Sequence, residues 1–444
     1  MSADIQGQMA SSVNICTRTF RQHLLVVILL MQKKIVTNIR SLVNVRERFE
    51  VLRGKELADL PCLDNAFLII ENDRIAGYGE MKHLPVDDSY EIVDARNAFV
   101  LPSWCDSHTH LVFAASREEE FVDKLKGKSY AEIAAKGGGI LNSSKKIAAT
   151  DEDVLFDQAW QRLTELMQLG TGAIEIKSGY GLTTKSELKI LRVIRRIREK
   201  APIPVKSTFL GAHTYPEEYK NDHQKYIDII LNEMLPAIAE EQLADYIDVF
   251  CEEGFFSPEE TETICIAGKN YGLKPKIHAN QLSLSGGTQT GIKLNAVSVD
   301  HLETMDEEAI LALSQSATIG TLLPTAAYFL RMPFQPARKL IDAGSAIAIA
   351  SDFNPGTSPS GNMNIVVSMS CIQMKMLPEE AINAATLNGA FAMNLEHEVG
   401  SITIGKKANL IFTRPMPSLA YLPYAFGSNH IDRVMVNGKF IHQK

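Results

Sequence analysis

The 444-residue sequence holds only six cysteines and two tryptophans, and it has no run of about 18 consecutive apolar residues. Without such a run no ordinary membrane-spanning helix forms, and no membrane partner is expected. Cys16, Cys62, Cys105, Cys251, Cys265 and Cys371 are scattered without paired spacing. That argues against a disulfide framework or a cysteine-built zinc site, and for reduced, buried thiols in the cytoplasm. Positive charge is short as well: 45 Lys and Arg against 53 Asp and Glu leave a formal net charge of −8. General attraction to nucleic acid or to an anionic membrane surface is therefore not expected. The densest basic run, Arg192 to Arg198, reads as a solvated helix face. Leu24 to Met31, preceded by Arg18 and Arg21, resembles the front of a signal peptide, but no small-residue cleavage site follows. Residues 1–30 are accordingly read as a disordered extension or a start-site artefact, in preference to an export signal.

What is present is organised in three parts. From Ile35 to Val93 short strands alternate with turns, with Asn72-Asp73 placed as a hairpin turn. The same texture returns after Gly400, with a second turn at Asn437-Gly438. The two ends, 31–98 and 400–444, are expected to pair into one small composite β-sandwich domain. Between them, over 99–399, strands and helices alternate, the pattern of parallel β/α units. Strand ends fall at Trp104–His110, Gly172–Ser178, Val205–His213, Ile247–Glu252, Lys276–His278, Ala296–His301, Thr318–Leu323 and Ala346–Asp352. Eight is the number that closes a (β/α)8 TIM-like barrel, so the fold class is α/β. Glu187 to Glu199 and Asp222 to Glu240 carry the apolar spacing of its outer helices.

In such barrels the chemistry sits at the C-terminal ends of the strands. There the sequence places His108 and His110, His213, His278, His301 and Asp352. A single histidine at a strand end is more often a hydrogen-bonded structural group, but five with an aspartate on one rim point to a site. His108 and His110, two apart on an extended segment, project to one face and form half of a metal site. With His278 and Asp352 they make a nitrogen-rich set suited to one divalent ion, Zn²⁺ or Fe, with room for a water whose pKa the ion lowers to ~7. Asp352 can also accept that water's proton, leaving His301 to orient it, stabilise an oxyanion or carry a proton to the leaving nitrogen. A second ion would need a bridging lysine at the end of the fourth strand, which reads Val249-Phe-Cys-Glu252. Lys177 ends the second strand, the wrong place for that bridge, and is read as a salt-bridged structural residue.

Four longer blocks carry a resemblance: Asp106 to Glu118, Glu175 to Leu182, Phe209 to Thr214 and Ala350 to Pro359. Together with the terminal β-texture they resemble the amidohydrolase superfamily, and within it the hydrolases that open an imidazolone ring during histidine degradation. The match runs from about residue 32 to the end of the chain. It implies an ion on His108, His110, His278 and Asp352, a homodimer, and hydrolysis of a cyclic amide C–N bond in 4-imidazolone-5-propanoate to give N-formimidoyl-L-glutamate. That substrate has a carboxylate tail, and Arg117 offers a fork suited to it; the plain alternative is a surface salt bridge. Tyr180 would reach the same tail, and His213 would hydrogen-bond the ring. Asn354, Gly356 and Thr357 would line the pocket, unless they serve only a Pro-Gly turn.

Gln281, three residues after His278, departs from the Glu that the resemblance places there in many relatives. Gln can position substrate but cannot shuttle a proton, so Asp352 and His301 must handle the protons. The departure disfavours a cytosine- or guanine-type deaminase, because ring deamination needs a ring nitrogen protonated by such an acid. A catalytically silent scaffold is the remaining alternative; it would have no physical reason to keep four converging ligands. The Gly137-Gly-Gly139 segment reads as a flexible loop in preference to a lid hinge.

Overall fold

The computed structural model of the chain describes residues 32–85, 87–128 and 138–441. The extension expected at 1–30, Cys16 and Gly137 of the glycine segment lie outside the described residues. Five strands open the chain: β1 (Lys33–Val43), β2 (Cys62–Glu71), β3 (Arg74–Glu80), β4 (Glu91–Asp94) and β5 (Phe99–Pro102). Eight follow, each leading to helix: β6 (Trp104–Asp106), β7 (Thr171–Lys177), β8 (Val205–Ala212), β9 (Tyr246–Cys251), β10 (Lys274–Ala279), β11 (Ser298–His301), β12 (Ile319–Leu322) and β13 (Ile347–Ile349). The last three are β14 (Leu410–Thr413), β15 (Ile431–Val436) and β16 (Lys439–Phe440).

The two chain ends meet in one eight-stranded sheet of order β16-β15-β14-β5-β1-β2-β3, with β4 also paired to β1. Its joints are the two turns expected from sequence. Glu71 pairs with Arg74 around Asn72-Asp73, and Val436 pairs with Lys439 around Asn437-Gly438. Asn437 and Gly438 have φ of 48° and 71°, the left-handed pair that a tight two-residue hairpin requires. Val36, Leu68, Val100, Leu410, Phe412 and Met435 fill the interior of this unit.

The central strands form a parallel sheet in sequence order from β6 to β13. β7 is buried at every residue, as expected of a strand with helices outside and packed side chains inside. The seam between β13 and β6 is closed by residues just past the strand ends. Asp352 N donates to His108 O at 3.0 Å and His110 N to Phe353 O at 2.9 Å, while Ser351 N and Oγ both donate to the Asp106 carboxylate, at 3.0 and 2.6 Å. β6 itself ends at Asp106, so the two histidines lie on an extended segment beyond the strand, held by this seam.

Two helical expectations change in detail. Glu187–Glu199 lies inside helix Thr184–Lys200, whereas the 222–240 segment divides into His223–Ile229, a π-helical turn at Ile230–Met234, and Leu235–Glu241. Pro236 supplies the reason: it has no N–H to continue the preceding α-helical ladder. The basic run is not a bare solvated face, since Arg192, Arg196 and Arg198 pair with Glu241, with Glu152 and Asp153, and with Asp245. Cys105, Cys251 and Cys265 are free and buried, but Cys62, at the open end of β2, is exposed.

Candidate metal centre and substrate cavity

The strand ends bring His108, His110, His213, His278, His301 and Asp352 into one cluster, all buried. Ring centroids of His108 lie 5.4 Å from His110, 4.5 Å from His278 and 5.6 Å from His301. Asp352 Oδ1 is 3.5 Å from His108 Nε2 and 3.7 Å from His110 Nε2. Two overlapping triads, His108/His110/Asp352 and His108/His278/His301, each keep their ligand atoms within 4.8 Å of one another. Among the described residues, His108 Nε2 and His278 Nε2 are buried without a hydrogen-bond partner. A buried imidazole nitrogen left unpaired costs free energy unless something coordinates it, so this donor set fits a divalent ion. Burial first, then the neighbouring cationic groups, pushes His108 and His110 far below the ordinary histidine range. They are neutral and able to donate a lone pair.

The backbone is forced into place here. His301 and Asp352 have φ of 87° and 51°, conformations that cost non-glycine residues of order 1–3 kcal/mol each and persist at sites the surrounding structure over-determines.

Beneath the histidines lies a charged layer that the strand-end reading missed. Asp300 Oδ2 accepts from His108 Nδ1 at 2.7 Å, and Asp248 Oδ2 lies 3.0 Å from His278 Nδ1. Lys177 joins them, with Nζ 2.7 Å from Glu175, 2.8 Å from Asp248 and 3.4 Å from Asp300. Lys276 contacts the other oxygen of Glu175. Burial alone would raise both aspartates. Lys177 together with His278 at Asp248, and Lys177 with Lys276 at Asp300, instead holds them below the usual carboxylate range. An ionised carboxylate only accepts, so Asp300 fixes the proton of His108 on Nδ1 and turns the Nε2 lone pair toward the site. The sequence signal was there: Glu175-Ile-Lys177, Lys276-Ile-His278 and Ser298-Val-Asp300 each put two polar groups two apart at buried strand positions. Lys177 is thus the salt-bridged structural residue its position suggested. Glu252, at the end of β9, accepts from Leu282 N at 2.9 Å and from Ser283 Oγ, which ties it to a loop.

Above the cluster opens a cavity of about 540 Å³ lined by Arg117, Tyr180, His213, Gln281, Asn354, Gly356 and Thr357, together with Lys124, Phe250 and Leu330. Every substrate-contact residue expected from sequence is therefore on its wall. His213 stacks on His110 at 5.4 Å, and its Nδ1 lies 2.9 Å from Gly179 O, so its Nε2 is the free nitrogen. Burial lowers its pKa to about 3. Asn354 is different in kind: its Oδ1 accepts from Gly356 N and Thr357 N, both at 2.8 Å, and its Nδ2 donates to Asp352 O and Thr357 Oγ1. Its amide is committed to shaping the loop, while Thr357 Oγ1 donates to Asp352 Oδ2 at 3.2 Å. His301 Nδ1 lies 3.3 Å from Glu303 Oε1, which also accepts from Gln335 Nε2 at 3.0 Å. Burial opposes protonation of His301, but Glu303, Asp352 and Asp300 outweigh it and raise its pKa.

Residues 262–441 match the amidohydrolase family. The chain is also 55% identical over 409 residues to an imidazolonepropionase of Christiangramia forsetii, covering 92% of this chain and 99% of that one. The chain belongs to the imidazolonepropionase family. A Clostridium tetani imidazolonepropionase is 41% identical, over 89% of this chain and 95% of the relative. Among solved structures, Escherichia coli guanine deaminase superposes with a TM-score of 0.69 at 15% identity, over 93% of this chain and 99% of that chain. At that identity the likeness speaks for the fold alone, the barrel with its terminal sheet, whereas membership of the imidazolonepropionase family rests on sequence identity along nearly the whole length.

Proposed function

We propose that the chain hydrolyses 4-imidazolone-5-propanoate to N-formimidoyl-L-glutamate, the ring-opening step of histidine degradation. The observation that carries this reading is the 55% identity, over 92% of this chain, to an imidazolonepropionase. His108, His110, His278 and Asp352 would hold one Zn²⁺ or Fe ion; three imidazoles and a carboxylate suit both. When bound, such an ion acidifies a coordinated water toward neutral pKa and polarises a carbonyl oxygen. Asp352 takes the water's proton; desolvation in its buried setting raises its pKa, which makes it a stronger base. The lactam C–N bond breaks, water's oxygen stays on the carbonyl carbon, and His301 delivers a proton to the departing amidine nitrogen. Glu303 orients His301 for that transfer. His213 and Gln281 hold the ring, and Tyr180 and Arg117 take the propanoate tail. Asn354, Gly356 and Thr357 form the wall that keeps Asp352 in place.

In the same reading the chain divides into 31–98 with 400–444 as the terminal β-domain and 99–399 as the barrel; the pairing of β5 with β1 and β14 supports moving the first boundary to about Ser103. A homodimer and a cytoplasmic location belong to the same reading; sedimentation and fractionation test them. Among the described residues no helix is long and apolar enough to cross a membrane.

The test is a spectrophotometric assay of imidazolone-propanoate loss before and after chelation, with Arg117→Ala alongside. Turnover that chelation abolishes and metal restores, with kcat/KM down about 100-fold or more in the variant, supports the reading. A stoichiometrically metallated protein without turnover overturns it.

A further inference from the structure

We propose that Lys124 is a second cation for the substrate's propanoate carboxylate, acting beside Arg117 on one wall of the cavity. This deepens the hydrolase reading and rests on it. Arg117 alone cannot supply the attraction. Its Nε and Nη2 donate to Glu120 Oε2 at 2.9 and 2.5 Å, and both side chains are nearly buried, 10% and 12% exposed. Glu120 Oε1 accepts from Gly139 N at 3.0 Å, which pins the carboxylate in place. The pair is close to neutral, so Arg117 offers the tail a hydrogen-bonding edge, Nη1, but little net charge.

Lys124 lies on the same helix, Glu118–Leu125. Arg117, Glu120 and Lys124 are spaced i, i+3, i+7 and so share one helix face. Lys124 lines the same cavity, whose formal charges apart from histidines are Arg117, Lys124 and Asp352. Asp352 belongs to the metal end. Among the described residues no ion pair or hydrogen bond holds the Lys124 ammonium. Burial first and then the neighbouring guanidinium lower its pKa, and Glu120, already paired with Arg117, offsets them only in part. An anion at this end of the cavity would relieve it, and the substrate carries one on a two-methylene tail. Glu120 thus acts as a positioning residue that sets the Arg117 fork, while Lys124 carries the unbalanced charge.

Lys124→Met, Lys124→Arg and the control Lys126→Met, which removes an exposed charge one residue past the helix, separate the roles. Calorimetry measures binding of 3-(imidazol-4-yl)propanoate and of its propanamide to each metal-loaded protein, and steady-state assays give KM and kcat on imidazolone-propanoate. Lys124→Met is expected to weaken the propanoate about tenfold and to raise KM more than it lowers kcat, with the amide changed less than about twofold. Lys124→Arg should restore most of the loss, and Lys126→Met should match the parent. Unchanged propanoate affinity in Lys124→Met, or equal losses for acid and amide, overturns the proposal. A parent protein that prefers propanoate over amide through Lys124 yet turns over no imidazolone overturns the hydrolase reading alone.

Discussion

Asp300→Asn tests whether the charged layer under the histidines governs the metal site. The substitution keeps the size of the side chain and its reach to His108 Nδ1, 2.7 Å away, but an amide can donate as well as accept. Where Asn donates to Nδ1, the imidazole proton moves to Nε2 and the lone pair that faces the ion is lost. The layer now holds three carboxylates, Glu175, Asp248 and Asp300, against two ammonium groups, Lys177 and Lys276. Its formal charge is therefore −1, and Asn brings it to zero. Lys177 keeps Glu175 and Asp248, its two nearer partners, so the variant is expected to fold. Removing an outer-shell partner of a ligating histidine typically costs 10–100-fold in metal affinity, about 1.4–2.7 kcal/mol. The assay is competitive titration of the apo protein with Zn²⁺ against a chromophoric chelator, with circular dichroism as the folding control. A folded Asn variant whose Zn²⁺ Kd stays within about twofold of the parent refutes the tautomer argument.

Three further outcomes are expected. A Cβ at Gly356 would run into Arg117 Nη1 and come within 2.8 Å of its Cζ; Gly356→Ala should therefore raise KM severalfold while leaving the melting temperature nearly unchanged, and a kcat loss at constant KM would contradict this. His301→Asn should lower kcat about 10²–10⁴-fold with bound metal, measured by plasma emission, still stoichiometric; loss of the ion would show that His301 is a ligand. Lys406 is buried over the Phe49 ring, with Nζ donating to Val399 O and Ser401 Oγ, and burial first of all lowers its pKa to about 8. Between that value and an ordinary 10.5 the unfolded chain binds the extra proton, so this residue makes stability rise with pH across the window, by about 3 kcal/mol in total. Urea midpoints at pH 7.5 and 10 should show the rise, and a parent and a Lys406→Met variant with identical pH slopes would refute it.

Much of this architecture was legible in the chain. Strand alternation and the two Asn-containing turns marked the terminal sheet because period-2 patterning and left-handed turn residues are local properties. His108, His110, His213, His278, His301 and Asp352 were legible because a barrel delivers strand ends to one rim, so position along the chain predicts position in space. The partners beneath them were less so. Asp248 and Asp300 are each the third residue of a buried strand, and only the register between strands shows which histidine each one faces. Glu120 and Lys124 were passed over for a related reason: a charged helix next to a loop reads as solvent-facing until the cavity wall is known. The seam through Asp106, Ser351 and Phe353 also depends on contacts more than 240 residues apart in sequence. Local pattern carried none of that information.

The central claim is that water opens an imidazolone ring here and no exocyclic amine is expelled. Its most direct test is to identify the products of the metal-loaded protein by mass spectrometry while ammonia is measured in a coupled assay. One N-formimidoyl-L-glutamate formed per 4-imidazolone-5-propanoate consumed, with no ammonia released from that substrate, cytosine or guanine, is the predicted result. Ammonia from cytosine or guanine, with the imidazolone left intact, would contradict it.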